Sequence, residues 1–180
     1  MTEEAGHVTE EAGHIEPKTI GKLRERFADQ IVDVTVREGD DAVTVRRERI
    51  VEICTFLRDD PDLLFNYFID VCGVDYSEFD PDMPRYGVIY HLYSLGHNHR
   101  IRLRVLLDED DAKIDTVTGV WKGANWFERE AFDLYGIEFT GHPFLRRILT
   151  HHQFVGHALR KDYDHGKRQL CTEVWDLEFE

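Results

Sequence analysis

The chain has little cysteine, and what it has is scattered. Cys54, Cys72 and Cys171 are the only three in 180 residues, and none is paired in a CxxC pattern. That spacing excludes a disulfide framework and a cysteine-ligated cluster, and it suits a reduced, cytosolic compartment. Long apolar runs are also missing; none approaches the roughly 20 residues a membrane-spanning helix needs. No apolar segment precedes the acidic start, so no secretory signal is expected. If the protein works at a membrane, a partner must hold it there. A glycine-rich phosphate loop, a GxSxG elbow and an HExxH helix are all absent, which removes the commoner nucleotide, hydrolase and metalloprotease readings.

A basic surplus is lacking as well. The formal net charge is −14, but its location matters more than its size. Residues 1–16 hold five glutamates and no Lys or Arg, and residues 170–180 hold three glutamates and Asp176, so nine of the negative charges sit at the two ends. The remainder is mildly acidic, which argues against both a nucleic-acid binder and an extreme halophile. With 42% hydrophobic and 32% charged residues, one soluble domain with a real core is expected.

The first residues repeat TEEAGH at Thr2–His7 and Thr9–His14. Two heptads, each interrupted by glycine, are too few for a coiled coil, so residues 1–17 read as a disordered acidic tail. His7 and His14 as metal ligands would need further donors. Residues 18–29 place Ile20, Leu23 and Phe27 on one helical face. Val32, Val34 and Val36 alternate with polar residues, Gly39-Asp40-Asp41 turns the chain, and Val43 and Val45 resume the alternation as a hairpin partner. Ile50, Ile53, Cys54 and Leu57 form a second helical stripe within residues 47–58, ended by Asp59-Asp60-Pro61. Residues 62–76 suggest a helical turn and then a strand. Val88–Leu95 and Arg100–Leu107 are two strong strands, the second with Ile101, Leu103 and Val105 facing one way and three arginines the other.

The expected fold is therefore α+β: a two-layer domain over residues 18–149, in the order α-β-β-α-β-β-β. A last helix and an extended arm at 150–180 follow it. One sheet face should pack on helices and the other meet water or a partner. The arm is basic between His142 and Arg168, bounded by an acidic end, as expected of a segment that docks along a charged surface.

The densest chemistry lies in Asn125–Leu149. Asn125 with Glu128 three residues later resembles a capping box, and Gly136 stands where a helix closes in a left-handed conformation. Asp133 falls near the helix C-terminus, where a carboxylate is disfavoured by up to about 1 kcal/mol. It should have a cationic partner: Arg129 at i−4, or Arg146 or Arg147 folding back. Glu130 and Asp133 share a face and could form an acid/base pair, although an ion-pair network fixing the helix to the arm or to a partner is the simpler reading. The aromatics around the helix ask for burial by something, another chain included. His97/His99 and His151/His152 lack the further donors a metal site requires.

Glu128-Arg129-Glu130, then Asp133-Leu134-Tyr135-Gly136-Ile137, then Gly141-His142-Pro143 and Leu145-Arg146-Arg147-Ile148-Leu149 closely resemble the signature of the 30-kDa subunit family of respiratory complex I. In bacteria this is the C subunit of the NADH–quinone oxidoreductase. Gly156 to Tyr163, with Arg160, Lys161, Asp162 and Tyr163, resembles the family's second block, and Asp70–Tyr76 its mid-chain strand. The chain departs from the family's pattern at Phe144, Ala158 and Asp164. The resemblance implies a subunit of the peripheral arm of a proton-translocating complex, with no catalytic residue, cofactor or metal in this chain. FMN, iron–sulfur clusters, NADH and quinone would belong to other subunits. Implied partners are the quinone-site 49-kDa-like subunit, the terminal-cluster subunit and a ferredoxin-like subunit, at the cytoplasmic face of the cell membrane or its organellar equivalent. Glu128, Arg129, Glu130, Asp133, Gly136, His142, Pro143, Arg146, Arg147, Arg160, Lys161, Asp162 and Tyr163 would then serve an interface. Related complexes fed by ferredoxin, reduced F420 or hydrogenase, or a stand-alone enzyme using Glu130 and Asp133, are the alternatives.

Overall fold

Ten regular elements carry the fold of the computed structural model, which describes residues 17–37, 41–80 and 82–171. The repeated acidic tail, the Gly39-Asp40 turn and residues 172–180 lie outside the described residues. In chain order the elements are α1 (Lys18–Phe27), β1 (Ile31–Thr35), β2 (Ala42–Val45), α2 (Ile50–Asp59), β3 (Tyr67–Asp75), β4 (Tyr86–Ser94), β5 (His99–Leu107), β6 (Lys113–Asp115), α3 (Ala124–Tyr135) and β7 (Glu138–Thr140).

Apolar spacing explains the two early helices. Ile20, Leu23 and Phe27 of α1 and Ile50, Ile53, Cys54 and Leu57 of α2 are buried, as the helical stripes require. They pack in one core with Val43 and Val45 of β2, Val88, Tyr90 and Leu92 of β4, and Ile101, Leu103 and Val105 of β5. Each such side chain contributes about 1.5–3 kcal/mol when fully buried.

The main sheet runs β1-β2-β5-β4-β3. The β1–β2, β3–β4 and β4–β5 pairs are antiparallel, and β2 joins β5 in parallel, Val43 opposite Leu103. The sheet is thus mixed, with the hairpin β1–β2 added to one edge. The alternation that groups Val32 with Val34 and Val36 fails at Val32, which is 58% exposed. A register shift between Ile31 and Asp33 inserts a residue and turns Val32 outward.

Two short strands, β6 and β7, are invisible to periodicity. Each has three residues, and among the described residues they pair only with each other, Ile114 opposite Phe139. Their single inward side chains are buried, and they bracket α3 in sequence. The helix itself lies against β3 at Gly73, where a Cβ would come within 2.5 Å of the Tyr135 ring. Past Thr140 the described chain is a succession of turns without helix or strand.

The close approach at Gly73 gives a first prediction. Gly73→Ala should push Tyr135 and α3 off the sheet and destabilise the chain by about 1–3 kcal/mol, the usual range for overpacking. Urea unfolding of the isolated chain reads this directly, and an unchanged midpoint would contradict the packing described.

Candidate functional site: a buried carboxylate knot between helix and arm

Helix α3 opens at Gly123 without any side-chain cap, so the capping-box reading of Asn125 and Glu128 is corrected. Asn125 lies inside the first turn, and its carbonyl accepts from His142 Nε2 at 3.1 Å. Glu128 points away from the helix start. Its carboxylate accepts the Val117 amide at 2.8 Å and the Thr116 hydroxyl at 2.5 Å, holding the 116–118 turn. The other end of α3 follows expectation: Gly136 sits at φ 79° and its amide closes on Phe132 O. That position also has no room for a side chain, since a Cβ would lie 2.6 Å from His157 Nε2.

Asp133 is fully buried. One oxygen accepts the amides of Ile148, Leu149 and Thr150 at 3.0, 2.8 and 2.9 Å. The other accepts Arg147 Nη1 at 2.7 Å and the Thr150 hydroxyl at 2.5 Å. Burial alone would raise this carboxyl, but the Thr150 hydroxyl and amide, Arg147 and the Leu149 amide outweigh it and hold it at about 2. The expected cationic partner is therefore Arg147. Arg129, the local alternative, instead donates to the carbonyls of Arg146 and Arg147 at 3.0 and 3.2 Å. Arg147 also reaches Gly156 O, and His157 Nδ1 donates to the main-chain carbonyl of Asp133, so the Asp133 carboxylate and backbone together organise the arm from 147 to 157.

The arm continues along the end of α3. Leu159 donates its amide to Leu134 O, and Arg160 Nε donates to Tyr135 O at 2.6 Å with its guanidinium over the Tyr86 ring. A second node then takes over. Asp75, at the end of β3, accepts the Lys161 amide, the Ser77 amide and Arg85 Nη2. Arg85 in turn donates to Asp162 at 2.8 Å. Asp75 is held at about 2, burial being outweighed by the Lys161 amide, Arg85 and Ser77. Tyr163 stacks on Phe154 and accepts from Gln169. Sequence spacing does not single out Asp75, Arg85, Thr116 or Thr150 for these roles. The Asp70–Tyr76 strand is recognisable, but nothing in it signals a partner ten residues later.

His142 has a fixed role. The Phe144 amide donates to its Nδ1, so Nε2 carries the proton given to Asn125 O. Burial lowers its pKa, with the Asn125 carbonyl opposing, and it remains a neutral imidazole 4.0 Å from Glu128. Pro143 and Phe144 continue this turn on the surface. Glu130 is exposed while Asp133 is enclosed with both oxygens occupied, so the two do not meet as an acid/base pair. Arg146 is exposed rather than desolvated, lying 4.7 Å over the exposed Phe144 ring, which Arg129 flanks at 5.2 Å. Trp126, 70% exposed, is one helical turn from Arg129.

The family model described as the respiratory-chain NADH dehydrogenase 30-kDa subunit matches residues 43–169. The C subunit of the NADH-quinone oxidoreductase from Acidithiobacillus ferrooxidans is 48% identical over 149 residues, covering 78% of this chain and 73% of the relative. The corresponding subunit from a Roseiflexus species is 46% identical over 150 residues, covering 83% and 84%. Among solved structures, a trypsin-resistant fragment of Nqo5 superposes with a TM-score of 0.62 at 35% identity, over 71% of this chain and 99% of the fragment. A chain of the membrane-bound sulfane sulfur reductase, an archaeal respiratory membrane complex, shares the fold with a TM-score of 0.61 at 19% identity, over 81% of this chain and 84% of that one.

Two carboxylates five residues apart give two predictions of opposite sign. Asp133→Ala leaves three amides and Arg147 without their acceptor and should cost about 3–5 kcal/mol. Limited proteolysis should then cut between residues 146 and 157, and a protected arm would contradict the knot. Glu128 is pushed up to about 7 by burial, against the pull of Thr116 and Val117. A carboxyl raised in the folded state holds its proton better there than when unfolded. Stability is thus highest below the unfolded pKa and falls as pH rises through about 7, by up to about 3 kcal/mol. Glu128→Gln should flatten that fall, read by urea unfolding between about pH 5 and 8; an unchanged slope would show that another group titrates.

Proposed function

The chain belongs to the family of the respiratory-chain NADH dehydrogenase 30-kDa subunit, and from this we propose that it serves as a structural and assembly subunit of a proton-translocating NADH–quinone oxidoreductase. In this reading it sits in the peripheral arm and carries no redox centre of its own. It packs beside the quinone-site, terminal-cluster and ferredoxin-like subunits, and the complex acts as the translocase. The chain is held at the cytoplasmic face of the membrane through those neighbours; no described helix is long and apolar enough to cross a membrane.

The observation that carries the reading is how the signature charges are divided. Asp133, Arg147, Arg160 and Asp162 bind groups within the chain and shape its surface. Trp126, Phe144 and Arg146 are left exposed beside Arg129. Trp and Arg dominate the energetics of protein interfaces, and an exposed arginine–aromatic stack offers a flat, cationic contact that a carboxylate-bearing neighbour can meet. In this reading the electron donor is chosen by other subunits of the complex.

The test is Arg146→Glu in the full complex. The isolated chain should unfold at the same urea concentration as wild type, since the Arg146 side chain is exposed. Recovery of the chain in detergent-extracted complexes should fall at least about fivefold, the loss of a 1 kcal/mol contact or more. Native mass measurement counts the subunits, and full recovery of the variant would refute this docking surface.

A further inference from the structure

The face of the main sheet opposite the helices carries a group of donors that the proposed function does not use. Asp70 and Cys72 are two residues apart on β3 and share that face. A register shift between Phe68 and Asp70 sets Asp70 directly opposite His91 on β4. A carboxylate oxygen, the Cys72 sulfur and a ring nitrogen of His91 lie within 4.8 Å of one another. Cys72 is exposed, so packing does not account for a thiol there. We propose that Asp70, Cys72 and His91 form a binding site for zinc, with three protein ligands and the fourth position open to water.

The donor chemistry selects this ion. Thiolate, imidazole and carboxylate together suit a borderline-soft, tetrahedral cation, whereas calcium and magnesium take oxygen donors. Zinc bond lengths place neighbouring ligand atoms about 3.3–3.6 Å apart. The trio therefore needs rotamer adjustments, and both strands hold its backbone in place. At present His91 Nδ1 lies 2.5 Å from Asp70 Oδ1, sharing a proton where the ion would go. Binding releases the Cys72 thiol proton and shifts the His91 proton to the other ring nitrogen, and two anionic ligands then face a dication instead of each other.

Arg102 is the competitor. Its Nε donates to His91 Nε2 at 3.3 Å, which keeps the proton on Nδ1. A metal on Nδ1 moves that proton to Nε2, where it opposes the Arg102 N–H. Arg102 must therefore withdraw along the open face, and it restrains affinity. This gives the site a signature that casual zinc binding to the histidines at 97, 99, 151 and 152 does not have. The inference goes beyond the assembly role and does not depend on it.

Zinc chloride titrated into the chelator-treated full chain tests it, with alkylation of each cysteine followed by peptide mass spectrometry. One equivalent should protect Cys72 at least tenfold and leave exposed Cys171 reactive. Cobalt(II) in its place should give a thiolate charge-transfer band that is lost in Cys72→Ser. His91→Ala and Asp70→Asn should each weaken protection about tenfold, and Arg102→Gln should strengthen it. All four changes lie on the solvent-facing side of the sheet, and unfolding curves verify that each variant folds. Cys72 alkylation indifferent to zinc, or equal protection in His91→Ala, overturns the site.

Discussion

The Asp133 carboxylate is the constraint on which the second half of the molecule depends. A dozen residues past α3 the described chain has no helix or strand, hence no backbone ladder to satisfy its amides. Three successive amides, 148 to 150, converge instead on one buried carboxylate oxygen. Arg147 neutralises the charge and extends the connection to Gly156. A carboxylate near a helix C-terminus is poorly placed with respect to the helix dipole. Here the arm supplies the positive ends of three peptide dipoles and a guanidinium in compensation.

The Asp75–Arg85–Asp162 node repeats this solution at the end of β3. Between them the two nodes fasten the arm along the seam between α3 and the sheet edge. Gly136 lies on that seam, and its missing side chain admits His157 and Arg160. Glu128 uses the same device on the other side of the helix, gripping the 116–118 turn. Among the described residues it has no cation within ion-pairing distance, only the neutral His142. That difference is why burial prevails at Glu128 and hydrogen bonding prevails at Asp133.

Much of the fold is legible in the sequence because it rests on period. The stripes of α1 and α2 and the alternation of β4 and β5 are local, and core burial enforces them. The left-handed Gly136 is legible for the same local reason. The failures are places where a distant group wins. Asn125 and Glu128 have the spacing of a capping box, yet the carboxylate is worth more to the buried Val117 amide than to a helix end that water can reach. Val32 is turned outward by a bulge, and β6 and β7 are too short to have a period. The arm's partners lie 14 to 86 residues away in sequence, so charge signs could suggest them but only geometry could choose Arg147 over Arg146 and Arg129.

That choice changes how the signature should be understood. A dense run of charge beside aromatics invites an active site, but catalysis needs groups that can exchange protons or meet a substrate. Asp133 has neither property, being enclosed and held at about 2. Glu130 meets solvent, yet Asp133 does not reach it as a partner base. In the proposed assembly role the signature would work indirectly instead. Its buried members fix the backbone of residues 141–163 against α3, and this determines where Phe144 and Arg146 stand on the surface. A neighbouring chain would meet that surface already ordered, so association would lose less conformational entropy than docking a loose arm. In the proposed docking role, rigidity built into one chain would become affinity between chains.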